Sequence, residues 1–299
     1  MSAAAQMRRA APQLEVVVFE KSAHVSYAAC GMPYYIAGDI ASHEDLLALK
    51  PDEVVQRGID ARCQHEVCEI RPGARAVVGR TRDGRSFSEH YDYLVLATGG
   101  AARRPPWASK GLDGVCTLRT LEDGIALRAF IEQRRPRHAV VVGTGFIGLE
   151  MVEAFARCGL DVTLIGRSQH LLGQFDRAFA APVFDALNHC GVSLHLGAEV
   201  RAIEGADGRV TGVVSDAGRH AADLVLVATG LRPSGELARA AGLSVGKSGA
   251  IAVDERMETD RPGIWAAGDC IEVKHIVSGE KVFAPLALTA NRTGRIAGD

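Results

Sequence analysis

The stretch HVSYAACGMPYYIAG, residues 24–38, holds a single cysteine, Cys30, among small residues, followed by Gly31, Pro33, Tyr34 and Tyr35. A structural cysteine normally hides in a periodic apolar run. This one stands where a turn meets the first turn of a helix, since proline is tolerated at helix starts and poorly inside them. Such a position can lower a thiol from its ordinary pKa of about 8.5 to where a nucleophilic thiolate exists near neutral pH. These residues alone leave two readings open, a reactive thiol and a buried inert one.

A second run, VVVGTGFIGLE (residues 140–150), supplies Gly143, Gly145 and Gly148 directly after a strand and at the opening of the helix FIGLEMVEAFARCG. The first glycine permits the tight turn, the second lets backbone N–H groups approach a pyrophosphate, and the third allows helix to pack closely on strand. Strand, helix and returning strand are all present, so the run predicts dinucleotide binding. An acidic residue about 20 positions on would hold the ribose 2′-hydroxyl of NAD. The count ends on Gly166, followed by Arg167, with no carboxylate. Arg167 either accepts the 2′-phosphate of NADP or is a solvated surface charge. Glu150 is expected in the first turn of the glycine-loop helix, where it either answers the helix dipole or orients a nicotinamide.

The elements that position these residues are legible as valine-rich runs between helical stretches: LEVVVFE (14–20), YLVLATG (93–99), HAVVVGTG (138–145), DVTLIG (161–166) and DLVLVATG (223–230). Near-continuous apolar strands alternating with helices predict an α/β fold with parallel sheets covered on both faces. Residues 198–225 carry turn pairs such as Asp207-Gly208 between short alternating strands, the pattern of an antiparallel β-meander. A similar block precedes residue 100, and both copies run into an apolar strand ending Ala-Thr-Gly, so one supersecondary unit is used twice.

The chain has 299 residues, 47% of them hydrophobic, enough for a large core in two domains. A net charge of -2 with acids and bases interspersed gives no basic footprint for nucleic acid or an anionic membrane. No run is long enough to span a bilayer, and MSAAAQMRRA reads as an ordinary helix rather than a secretory signal, so the cytoplasm is the default. Seven scattered cysteines fit reduced thiols. The run CQHEVC, from Cys63 to Cys68, lacks a second ligand pair, and no metal site is expected.

Taken together, SYAACGMPYYI, ATGG at 97–100, GTGFIGLE, ATGLRP at 228–233, GIWAAGDC at 263–270 and PLALTANRTGRIAG at 285–298 resemble a known family. It is the flavin-dependent pyridine nucleotide-disulfide oxidoreductases, in their single-cysteine branch of coenzyme A-disulfide reductases and NADH oxidases or peroxidases. The resemblance covers essentially the whole chain. It implies two Rossmann-like nucleotide-binding domains with parallel sheets and meanders, the NAD(P) domain inserted in the FAD domain. The expected segments are 1–107 (FAD), 108–235 (NAD(P)) and 236–299 (FAD). Cys30 would be the redox thiol. Cofactor contacts would fall on Glu20, Lys21, Thr98, Gly99, Gly268 and Asp269 for FAD, and on Gly143, Gly145, Gly148, Glu150, Arg167 and Gly230 among the nucleotide contacts. Ser26 resembles a serine of the coenzyme A site, with Gln6, Arg9 and Arg57 placed for the coenzyme's phosphates.

No partner cysteine stands near Cys30, positions such as Val25 and Tyr35 being occupied otherwise, so it would cycle with a substrate thiol or through its own sulfenic acid. The resemblance thus implies NAD(P)H-dependent reduction of coenzyme A disulfide or a related small disulfide or polysulfide. An NADH oxidase or peroxidase, or a non-catalytic nucleotide-binding fragment, are the alternatives. Two departures from the pattern are expected to matter. Ala29 stands where an asparagine often precedes the cysteine, and the chain reads as an interior piece of a longer, homodimeric parent, without the first FAD strand, its glycine loop and a dimerisation domain.

Overall fold

The computed structural model describes residues 1–108, 111–173 and 175–299. Its chain forms two compact units, one of residues 1–27, 47–101 and 231–299 and one of residues 28–46 and 102–230.

In the first unit the helix Ser2–Ala10 leads into the strand Val16–Glu20, whose run of valines suits a pleated, half-buried surface. That strand pairs in parallel with Ile59–Cys63, Val16 opposite Ile59 and Glu20 opposite Cys63. The helix Pro51–Gln56, with proline at its start, makes the crossover. An antiparallel meander follows, His65–Arg71, Ala76–Thr81 and Ser86–His90. Leu94–Leu96 then pairs in parallel with Ile264–Ala266, so two segments far apart in sequence share one core. Ile70, Val77, Leu96, Ile251, Ile264 and Ile271 fill it.

The second unit is built on a five-stranded parallel sheet in the order Ser193–Leu196, Asp161–Gly166, His138–Val142, Leu224–Val227, Val115–Cys116. Val140, Val141, Leu164, Val225 and Leu226 on its central strands are fully buried, as uninterrupted apolar runs require. The helices Leu121–Arg134, Phe146–Arg157 and Arg177–His189 belong to this unit. Its meander, Val200–Ala206, Arg209–Ser215 and Gly218–Ala221, turns at Asp207 and Gly208, both with positive φ, as a two-residue hairpin demands.

One segment falls outside the sequence boundaries. Residues 28–46, read from sequence as part of the first FAD segment, gather with the second unit because the helix Met32–Ala37 packs on the Leu121 and Phe146 helices.

Candidate functional site

The glycine loop is shaped by backbone crowding. Gly143 has φ +123°, and a Cβ there would stand 2.2 Å from the Ala228 carbonyl oxygen. A Cβ on Gly148 would stand 2.0 Å from the Gly143 carbonyl oxygen, so helix and loop touch only because both residues are glycine. Gly145 differs. Space above it is open, and it precedes the Phe146–Arg157 helix, which has no side-chain cap and no acid in its first turn. Unoccupied N–H groups converging on open space at a helix start form a cradle that fits a dinucleotide pyrophosphate.

At the far end of the next strand, a Cβ on Gly166 would lie 2.3 Å from Cγ2 of Thr144, the residue between the first two loop glycines. The branched Thr144 therefore occupies the room a side chain at 166 would need. Arg167 beside it is exposed. Gly230 takes φ +109° in open space at the end of the Leu224–Val227 strand's loop. Glu150 departs from expectation: with the helix beginning at Phe146 it lies past the first turn, beyond the strongest field of the helix start. Partial burial, reinforced by Glu153, raises its pKa above the ordinary 4.5.

Cys30 lies in the 3₁₀ turn Ala29–Gly31, and its thiol-bearing residue is exposed. Pro33 follows within the first turn of Met32–Ala37, as its fixed φ favours. The chain leaves that helix through Gly38, φ +90°. Gly31 is closely covered, since a Cβ there would meet Leu46 Cδ2 at 2.4 Å and displace that buried side chain. The remaining thiols contrast with Cys30: Cys270 is fully buried with its pKa raised by burial, and burial pushes Cys116 up to about 12.

The other candidate residues stand in the first unit. Glu20 ends its strand and accepts the Ser22 N–H at 2.7 Å, while Lys21 is exposed. Thr98 Oγ1 donates to the Ser234 carbonyl at 2.6 Å, and the Gly99 carbonyl accepts the Ser234 N–H at 2.9 Å. These bonds lie beside the two-stranded pairing of Gly100–Ala102 with Leu231–Pro233. Gly268, φ +84°, donates its N–H to Thr293 Oγ1 at 3.1 Å, leaving Asp269 at the turn. Gln6 and Arg9 come together on one helix, Arg9 Nη2 donating to Gln6 Oε1 at 2.6 Å, and Gln6 Nε2 also reaches Asp299 at 3.1 Å. Arg57 is exposed, and its carbonyl accepts from Arg8 rather than Arg9. Ser26 takes φ +54°, and its carbonyl accepts the Ala48 N–H at 2.7 Å. Sequence reasoning missed Thr144, which crowds Gly166, and Arg128, which bonds the carbonyls of Tyr35, Ile40 and Ala41.

Comparison with known proteins places this geometry. A family described as pyridine nucleotide-disulphide oxidoreductase matches residues 1–294. The NAD(P)H sulfur oxidoreductase (CoA-dependent) of Pyrococcus furiosus is 39% identical over 301 residues, covering 100% of this chain and 66% of the relative. The coenzyme A disulfide reductase of Staphylococcus haemolyticus is 31% identical over 294 residues, with 97% and 64% covered. Reduced Bacillus anthracis CoADR-RHD superposes with a TM-score of 0.95 at 33% identity, over 99% of this chain and 54% of that one. The NAD-dependent persulfide reductase from A. fulgidus gives 0.94 at 33% identity, over 99% and 56%. The chain thus spans 66% of the length of the Pyrococcus relative it matches. By the extent of the match and by its glycine loop, this chain belongs to the pyridine nucleotide-disulphide oxidoreductase family.

Proposed function

We propose that the protein is an NAD(P)H-dependent, FAD-containing reductase of coenzyme A disulfide or a related small disulfide or polysulfide, with Cys30 as its one redox thiol. The observation that carries the reading is the exposed Cys30, the only cysteine of residues 28–46, held in the same unit as the open glycine cradle. Relatives named for coenzyme A disulfide reduction and for CoA-dependent sulfur reduction support it.

FAD and NAD(P)H, when bound, supply the two electrons and the hydride chemistry. The N–H groups following Gly145 bind the nucleotide pyrophosphate, with Gly143 and Gly148 keeping the backbone close. Glu150 and Gly230 line the nucleotide, and Arg167 takes the adenine-end phosphate. Glu20, Lys21, Thr98, Gly99, Gly268 and Asp269 contact FAD, so residues 1–107 and 236–299, less the segment 28–46 that gathers with the other unit, are its domain and 108–235 the NAD(P) domain. Ser26, Gln6, Arg9 and Arg57 hold the substrate, and the active protein is a cytoplasmic homodimer. Cys30 as thiolate attacks one sulfur of the disulfide, forming a mixed disulfide and expelling one thiolate. Two electrons then cleave the mixed disulfide, returning Cys30 and releasing the second thiol after protonation. One NAD(P)H and one proton are consumed for two thiols made.

A second reading, suggested by a relative named NADH oxidase from Methanocaldococcus jannaschii at 37% identity, has the Cys30 thiolate attack peroxide, releasing hydroxide and forming a sulfenic acid that two electrons from NAD(P)H return to thiol and water. One experiment tests both. Cys30→Ser is expected to abolish NAD(P)H-dependent release of coenzyme A thiol from its disulfide while nicotinamide binding persists. Wild-type thiol release from that variant overturns the assignment. Peroxide reduction outpacing disulfide reduction in the wild type selects the second reading.

A further inference from the structure

Arg128, midway along the Leu121–Arg134 helix, has only 21% of its side chain exposed, and it does not serve the nucleotide cradle. Its Nη1 lies 3.0 Å from the Tyr35 carbonyl, 2.9 Å from that of Ile40 and 3.1 Å from that of Ala41. Its Nε donates to Glu132 at 2.9 Å, and its guanidinium carbon sits 4.5 Å from the centre of the Tyr35 ring. The Tyr35 carbonyl, in the last turn of the short helix after Cys30, accepts the Gly38 N–H at 3.2 Å and takes Arg128 as a second donor, while Ile40 and Ala41 follow the left-handed Gly38.

Two further fastenings hold the same segment. Arg157 Nη2 donates to Asp39 at 2.6 Å, and the Cys158 thiol donates to the Ile36 carbonyl at 3.4 Å. Both residues close the helix that opens at the glycine loop. Gly124, one turn before Arg128, leaves room for Met32, whose Sδ would stand 3.3 Å from a Cβ there.

We propose that Arg128 is a positioning residue, which fixes the segment carrying Cys30 to the nucleotide-binding unit and without which Cys30 cannot turn over efficiently. The inference rests on the reading of Cys30 as the redox thiol. A planar guanidinium stacked on an aromatic ring and sharing three carbonyls orders loop and helix end from Tyr35 to Ala41 at once. Lysine at the position keeps the charge and three N–H donors but loses the stacking and the Glu132 bond. Methionine keeps the stem but removes the guanidinium from all three carbonyls, leaving Tyr35 with the Gly38 N–H alone.

The test uses the full chain with its cofactors, as Arg128→Met and Arg128→Lys. In the methionine variant amides 31–41 are expected to exchange hydrogen about tenfold faster or more, while the His138–Val142 strand is unchanged. With coenzyme A disulfide as substrate, kcat is expected to fall about tenfold and the KM for NAD(P)H to stay within about twofold, with lysine restoring most of both losses. Should Arg128→Met fail to fold, Asp39→Asn loosens the same segment from its surface and is expected to speed exchange there less. Unchanged exchange in 31–41, faster exchange with unchanged kcat, or a kcat loss matched by an equal rise in KM for NAD(P)H each overturn the proposal. Turnover retained by Cys30→Ser instead overturns the underlying reading, and leaves the exchange result for Arg128 standing on its own.

Discussion

Gly143 and Gly145 stand two positions apart in one loop, yet they answer different demands. At Gly143 the demand is internal, because φ +123° and the Ala228 carbonyl at 2.2 Å admit no Cβ. Gly143→Ala is expected to cost about 2–4 kcal/mol of stability by chemical denaturation, from backbone strain and overlap together. At Gly145, φ is -85° and the space is open. Gly145→Ala is therefore expected to fold with stability within about 1 kcal/mol of wild type while weakening nicotinamide nucleotide binding about tenfold or more, read by titration. Equal destabilisation by the two substitutions contradicts this division. The spacing of the three glycines was readable from sequence because each answers a backbone need that no other residue meets. The collision of residue 166 with Thr144 was not, since it depends on how close two strand ends approach. An acid at 166 therefore fits only if the Thr144 side chain shifts or is trimmed.

The elements show the same contrast. Strand runs such as Asp161–Gly166 appear in the structure with the bounds their apolar residues suggest, and the Asp207-Gly208 hairpin follows from turn chemistry alone. The helix opens at Phe146 as its sequence suggests, but Glu150 is its fifth residue and so falls just past the first turn in which it was expected. How elements are pinned to each other is less visible. Asp223 just precedes the Leu224–Val227 strand and accepts from the N–H groups of Arg137 at 2.9 Å and His138 at 3.0 Å, as well as from the His138 ring at 3.3 Å. Burial pushes its carboxyl up, but these bonds outweigh it and hold the pKa below the ordinary 3.8. The folded state thus favours the ionised form. Its stabilising contribution is complete well above 3.8 and is lost as pH falls through the lower folded value. Asp223→Asn is expected to lower the melting temperature at pH 7 and to narrow towards wild type in acid below that window. A difference that grows on acidification contradicts the sign.

Across the whole molecule, thiol exposure sorts the seven cysteines without reference to activity. Cys30, Cys68 and Cys190 are exposed, Cys63, Cys116 and Cys158 half-buried, and Cys270 buried. The sulfur of half-buried Cys116, its pKa pushed up to about 12 by desolvation, donates to the Val225 carbonyl at 3.5 Å. Mass-spectrometric mapping of brief alkylation is expected to label Cys30, Cys68 and Cys190 first, to label Cys116 slowly because its thiol stays protonated, and to reach Cys270 only on unfolding. Early labelling of Cys270 contradicts the packing of its unit. Two-domain size and parallel α/β sheets followed from composition and periodicity. The allegiance of residues 28–46 did not, because it is written in side chains such as Arg128 and Gly124, 80 to 100 positions away.

That allegiance limits how the fold can be recombined. Gly100–Ala102 and Leu231–Pro233 run side by side, so the chain leaves and returns at neighbouring points, the arrangement of a cassette that evolution or an engineer can lift out whole. A cassette cut at those points takes Arg128, Arg157 and Cys158 and leaves behind the loop they hold. In a chimera with a foreign host, the carbonyls of residues 35, 40 and 41 would meet whatever helix the donor supplies. Transplanted nucleotide domains should therefore bring their thiol loop with them, and natural exchanges of one without the other should leave a compensating change at Arg128.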